Sequence, residues 1–467
     1  MTTRSRLTMP HAAVLGAALV LLAHAPLAQA PAGAGAERAG MSAARLDGLT
    51  AALEQYVKDG RLPGAVTIVA RRGEIVYSNA VGYRDREAGA PMRTDAIFRI
   101  ASQTKALVSV GVMQLQEDGR LRIADPVGRY LPEFAKTTVA VPAEGGGYEV
   151  VPARRAITIR DLLTHTAGIG YGTGVPADRW KAAGIQGWYF ADRDEPIADT
   201  VSRMAALPFD AHPGERFVYG YGTDILGAVI EQVSGRQLDE FLRERITAPL
   251  RMSDTHFYLP AEKADRLAVV YSRAENGLER APAQGGMLSQ GSYVAGPRRS
   301  LSGGAGLLST AGDYVRLLQA LLNGGTLDGA RVLGRKSVEL MTADHLAPIE
   351  YQRGVGFGLG FSVLKDLGRR GSPGSTGEWG WGGAYHSTYW VDPAEQLVVV
   401  HMTQVIPATG LDDYGTVRAI VYGSIVDSVG AEATAADTAR RQRNNLITPR
   451  IHQDSLELPV NGGRPPR

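Results

Sequence analysis

Ser102 and Lys105 stand three residues apart at the head of an uncharged run, Ala106-Leu107-Val108-Ser109-Val110-Gly111-Val112-Met113-Gln114-Leu115, that reads as a buried helix ending near Asp118-Gly119. Residues at that spacing share a helix face, so the Lys105 ammonium can lie beside the Ser102 hydroxyl. Burial among apolar neighbours disfavours the charged form of an amine and leaves it able to take or relay the hydroxyl proton, which would make Ser102 a nucleophile. The free N–H groups and positive dipole end at a helix N-terminus also suit an oxyanion. On its own, Ser-x-x-Lys is better read as a capping serine beside a solvated lysine. The rest of the chain decides between the two.

Other chemistries are missing from the sequence. There is no cysteine in the 467 residues, which excludes disulfides, thiol nucleophiles and thiolate metal sites. No Gly-x-Ser-x-Gly nucleophile elbow, no His-Glu-x-x-His or His-x-His, no Gly-x-x-x-x-Gly-Lys-Ser/Thr loop and no strand-linked dinucleotide fingerprint occurs. The nine histidines are scattered, so neither metal nor cofactor is expected. A formal net charge of +2 gives no field that would draw nucleic acid or an anionic membrane.

The elements that must position Ser102 and Lys105 follow from patterning. Arg4 and Arg6 precede an uncharged run from Ala12 to Ala23, too short for the roughly 20 residues of a membrane span but fit for a signal peptide over residues 1–34, cleaved somewhere in 30–34. The mature chain is therefore expected to be exported, periplasmic or secreted, with no stable membrane span. Leu46, Leu49, Leu53 and Val57 recur at helical spacing up to Gly60. Ala65–Val69 and Ile75–Ser78 flank Arg71-Arg72-Gly73-Glu74 as a hairpin, and Ser387–Val391 and Leu397–Met402 flank Asp392-Pro393-Ala394-Glu395 as another, followed by a helix-like segment from Tyr414 to Val426. Joined, the hairpins make one antiparallel sheet flanked by the terminal helices. This is an α/β (α+β) domain over 41–429, with a sheet lobe from about 41–100 and 324–429 and a mostly helical lobe from about 101–323, the active site between them. Residues 430–467 read as a weakly ordered tail.

Five stretches, in order, give the chain a family likeness: Phe98-Arg99-Ile100-Ala101-Ser102-Gln103-Thr104-Lys105; Ile159-Arg160-Asp161-Leu162-Leu163-Thr164-His165-Thr166-Ala167-Gly168; Pro213-Gly214-Glu215-Arg216-Phe217-Val218-Tyr219; Gly303-Gly304-Ala305-Gly306-Leu307-Leu308-Ser309-Thr310; and Gly380-Trp381-Gly382-Gly383. From about Leu46 to Val426 it resembles the serine β-lactamase and penicillin-binding-protein superfamily, closest to class C β-lactamases and the β-lactamase-like family VIII carboxylesterases. The resemblance implies a β-lactamase/transpeptidase-like fold, Ser102 as nucleophile, Lys105 as its proton partner and Tyr219 as the tyrosine that assists both proton transfers. It further implies an oxyanion hole from the backbone N–H groups of Ser102 and Ala384.

Two departures from that pattern bear on substrate. Tyr219-Gly220-Tyr221 places a phenol where the family's Tyr-x-Asn element has an amide, and Trp381-Gly382-Gly383 stands where β-lactamases have Lys-Thr-Gly. A cation at that strand helps hold a β-lactam's carboxylate; an indole offers instead an apolar wall for an acyl or aryl group. Trp381, Gly382, Gly383, Tyr221 and Tyr171 are the expected substrate contacts, and His165 and His386 are expected to brace loops beside the site. The expected activity is hydrolysis of small carboxylic esters through an acyl-enzyme, with an ester or amide small molecule as the partner. The alternatives are a β-lactamase or D-Ala-D-Ala carboxypeptidase and, in another class, a non-catalytic module binding cell-wall peptides.

Overall fold

The computed structural model describes residues 33–275 and 277–427. All but the last two residues of the expected leader, and the whole expected tail, lie outside them.

Strands β1 (Gly64–Arg71) and β2 (Glu74–Asp85) are joined through Arg72 and Gly73, both at positive φ (56° and 79°), the backbone that a tight two-residue hairpin with right-handed twist requires. A short β3 (Ala90–Pro91) follows β2. Five more strands come from the far end of the chain: β4 (Val355–Phe357), β5 (Ser362–Leu364), β6 (Trp379–Gly383), β7 (Ser387–Asp392) and β8 (Leu397–Met402). The sheet runs β4-β5-β6-β7-β8-β1-β2-β3, antiparallel throughout. The two hairpins thus meet at β1 and β8, where Val66 faces Met402 and Ile68 faces Val400.

β1 and β8 are buried along their whole length because both faces of the sheet are covered. Alternate residues point to opposite faces. Val66, Ile68, Ala70, Val398, Val400 and Met402 join the core around helices α2 (Thr104–Glu117) and α4 (Ala311–Leu322). Ala65, Val69, Leu397 and Val399 join a second core under α1 (Ala43–Lys58) and α5 (Asp413–Gly423). In α1, Leu46, Leu49 and Leu53 are buried as the spacing requires, but Tyr56 rather than Val57 completes the face. Its ring packs inward while its hydroxyl donates to Asp412 of the α5 cap at 2.7 Å.

α2 is buried all round from Thr104 to Leu115, as expected of a helix apolar on every side. It packs against α3 (Gly222–Ser234), which ends at Gly235 in the left-handed conformation (φ 73°). No helix among the described residues is long and apolar enough to cross a membrane.

Candidate active site

The turn that carries Ser102 is fixed on the chain before it. Phe98 and Arg99 pair with Ser309 and Leu308, and the Ile100 N–H donates to the Leu307 carbonyl at 3.1 Å. Ala101 then takes a φ of +42°, a left-handed backbone that is uncommon for a residue with a Cβ. The chain passes through a single 3₁₀ turn, Ala101–Gln103, directly into α2. Lys105, one turn on and 1% exposed, has its Nζ 3.3 Å from Ser102 Oγ, 3.2 Å from Tyr171 Oη and 2.8 Å from the Gly304 carbonyl oxygen. The carbonyl can only accept, whereas both hydroxyls can also donate. Lys105 can therefore keep an N–H on the Gly304 carbonyl while its Nζ faces the Ser102 and Tyr171 hydroxyls.

The Gly304 carbonyl is itself held in place. Asp224, buried in the first turn of α3, accepts from the Gly304 N–H at 3.0 Å and from Ser302 Oγ at 2.5 Å. A Cβ at Gly303 would lie 2.5 Å from the Thr223 carbonyl and one at Gly304 2.4 Å from Asp224 Oδ2. Only glycines let this segment close on α3. Burial pushes the Asp224 carboxyl above its ordinary value, while its hydrogen bonds and the Lys105 charge pull it back. Nothing in the sequence singles out Asp224 as part of the site.

A second loop brings two phenols. A Cβ on Gly220 would come within 2.3 Å of the Ile169 carbonyl, so a glycine between Tyr219 and Tyr221 is what lets that loop lie on the one carrying Tyr171. The rings of Tyr171 and Tyr219 then meet edge to face at 5.7 Å, and Lys105 Nζ sits 4.7 Å from the Tyr219 ring centre. Burial, followed by the neighbouring Tyr219 and Asp224, pushes the Tyr171 hydroxyl well above its ordinary range, so it stays a neutral phenol. His165 packs its ring 4.6 Å from Tyr219, and its carbonyl accepts from the Val218 N–H at 2.8 Å. Burial, reinforced by Lys105, holds its imidazole well below the usual histidine value. His165 is a neutral brace for the Tyr219 loop.

The third side is β6. A Cβ at Gly383 would lie 2.5 Å from the Ile100 carbonyl, so this glycine lets the strand end close on the Ser102 turn. Trp381 donates its indole N–H to Tyr219 Oη at 3.1 Å. Ser102, Tyr171, Tyr219, Trp381, Gly382 and Ala384 line one open cavity of about 420 Å³, together with Trp188. Trp188 lies in an aromatic run with no motif or period to mark it, and only the tertiary fold brings it here. No lysine or arginine lines this cavity among the described residues.

Two residues singled out from sequence are placed elsewhere. Tyr221, expected to contact substrate, is fully buried behind Tyr171; its hydroxyl donates to the Gly187 carbonyl at 2.7 Å and its ring stacks on Trp180 at 5.6 Å. The turn at Gly220 sends it to the far side of the loop, so it supports the Tyr171 and Trp188 segment instead. His386 stacks on Tyr414 at 4.1 Å and its Nε2 lies 2.7 Å from Asp413 Oδ1. It ties the end of β6 to α5, as a bracing residue would.

An antiparallel sheet covered by terminal helices, a Ser-x-x-Lys turn opening a buried helix, a tyrosine from a facing loop and a glycine-rich strand along the third side define the β-lactamase/transpeptidase-like class of fold. Residues 49–420 match the family model described as Beta-lactamase, and the chain belongs to that family. Protein Rv1367c of Mycobacterium tuberculosis is 36% identical over 379 residues, covering 79% of this chain and 92% of that protein. Esterase EstB of Burkholderia gladioli is also 36% identical over 379 residues, covering 77% and 90%. Among solved structures, that of EstCE1, described as a hydrolase with promiscuous acyltransferase activity, superposes with a TM-score of 0.68 at 29% identity, covering 82% of this chain and 98% of that one.

Proposed function

We propose that the protein is a serine hydrolase that acylates Ser102 and hydrolyses small carboxylic esters. The observation that carries the proposal is the Ser102–Lys105 contact of 3.3 Å beneath a cavity walled by tyrosine and tryptophan and free of cationic side chains. Lys105 takes the Ser102 proton as Oγ attacks the ester carbonyl carbon, and the backbone N–H groups of Ser102 and Ala384 receive the oxyanion. The tetrahedral adduct collapses with loss of the alkoxide, which is protonated through Tyr219 and Lys105. Water, deprotonated along the same route, then attacks the acyl-enzyme and releases the carboxylic acid. An alcohol in place of water would give acyl transfer, an activity named for EstCE1.

A β-lactamase or carboxypeptidase would need a cation for the substrate carboxylate; the cavity offers Trp381 there. We also propose export, on the basis of the leader composition. The deciding experiment sets short-chain p-nitrophenyl esters against a chromogenic cephalosporin. Ester turnover with little cephalosporin hydrolysis supports the proposal, and the reverse order overturns it. Ser102→Ala must abolish both turnover and covalent labelling by a fluorophosphonate; a binding module would show neither in the parent protein.

A further inference from the structure

The cavity at Ser102 is smaller than another concavity of the described residues. A cavity of about 540 Å³ lies on the other side of α2, floored by Leu107, Leu242, Met252, Phe257 and Leu307, a volume within the range of sites for small organic ligands. Leu107 follows Lys105 by two residues on α2. The Leu307 carbonyl accepts from the Ile100 N–H at 3.1 Å, and the Leu307 N–H donates to the Thr104 hydroxyl oxygen at 3.0 Å. The cavity floor is therefore the reverse side of the nucleophile turn.

Three arginines, Arg243, Arg251 and Arg298, line the same cavity against a single acidic residue, Asp239. Arg298 already donates to the Leu259 and Val294 carbonyls. Arg243 and Arg251 make no ion pair and no side-chain hydrogen bond among the described residues. Arg243 opens a π-helical turn, Arg243–Thr247, and Arg251 stands at a φ of +53°, so two local departures from regular backbone put these guanidinium groups on one apolar basin. π-turns recur where a helix has been adapted to a site.

We propose that this cavity binds amphipathic monocarboxylates, free acids with an acyl chain of about ten carbons, the chain on the leucine, methionine and phenylalanine floor and the carboxylate between Arg243 and Arg251. Guanidinium groups match a carboxylate two N–H to two O, and the apolar floor excludes small inorganic anions as the best ligand. The site is separate from the ester cavity and does not require the activity proposed above.

Equilibrium dialysis of the full chain with sodium decanoate tests this. Saturable binding at or below about 1 mM is expected, weakened at least about tenfold by Arg243→Glu/Arg251→Glu. Arg243→Gln/Arg251→Gln should weaken it in the same direction, with melting curves of both variants showing the parent fold. Decanol, which lacks the charge, should distinguish the variants from the parent far less than decanoate does. Decanoate binding that both variants retain at parental strength overturns the proposal, because the acid then sits elsewhere, the ester cavity included. Absence of saturable binding to the parent protein overturns it as well.

Discussion

Trp381 and Tyr219 are joined by a hydrogen bond from the indole N–H to the phenol oxygen, 3.1 Å long, across the gap between β6 and the loop ahead of α3. The residue that replaces a β-lactamase lysine thus acts on the candidate proton-transfer group as well as walling the cavity. Trp381→Phe keeps the wall and removes the bond. We expect ester kcat to fall about three- to tenfold, the worth of one neutral hydrogen bond, with KM nearly constant; Tyr219→Phe should cost far more, on the order of 100-fold or beyond. Steady-state kinetics of the two variants on one p-nitrophenyl ester checks the order.

His165 and His256 give the protein an acid-sensitive stability. Burial first, then Lys105, depresses His165, and burial first, then Lys263, brings His256 down to about 4. In the unfolded chain both titrate near 6.5. Below that pH the unfolded state binds protons that the folded state refuses, so stability is complete above about 6.5 and falls as pH drops toward the folded values, by up to about 1.4 kcal/mol per pH unit for each histidine. Melting temperatures between pH 8 and pH 5 should decline, and His165→Asn should flatten the decline even where it lowers the melting temperature overall. A variant with the parental slope would refute the assignment.

Gly382 and Gly383 are adjacent but should respond differently to a methyl group. A Cβ at 383 meets the Ile100 carbonyl at 2.5 Å, next to the Ser102 turn, while one at 382 meets only the Ser387 carbonyl at 3.2 Å. Gly383→Ala should move the strand end off the oxyanion position and lower kcat by about 100-fold or more. Gly382→Ala, which adds a methyl to the cavity wall, should act mainly on KM. Reversal of that order would contradict the placement of the oxyanion site.

Asp224 holds the carbonyl that holds Lys105. Asp224→Ala leaves the Gly304 N–H and Ser302 hydroxyl without their acceptor and should destabilise the fold by about 1–3 kcal/mol. Asp224→Asn keeps an acceptor oxygen and should restore most of the stability. Chemical denaturation read beside ester kinetics separates loss of fold from loss of lysine placement.

Much of this was legible because the patterns that carry it are local. Ser102 and Lys105 share a helix face at their spacing, and the β-branched runs around Arg72-Gly73 and Asp392–Glu395 declare their hairpins. The likeness over five ordered stretches located Tyr219 and Trp381. What escaped was set by tertiary packing. Trp188 reaches the cavity from a segment with no periodicity, and Asp224 looks like any polar residue in an α3 first turn until Gly303 and Gly304 close on it. Tyr221 shows the opposite error: two residues from Tyr219, it was expected to face the same cleft, but the close approach at Gly220 turns it into the core against Trp180.

The pairing of Val66 with Met402 also fixes an order of assembly. β1 emerges early, and every one of its residues is buried in the finished sheet, yet with β8 missing from its edge it must wait during synthesis for nearly the whole helical lobe before that neighbour exists. Contacts so distant along the chain slow folding, and an unpaired strand edge invites association with other chains. The Ser102 turn, clamped between Leu307 and Gly383, can be completed only when the last hairpin has closed. The candidate site around Ser102 is therefore one of the last things this chain makes.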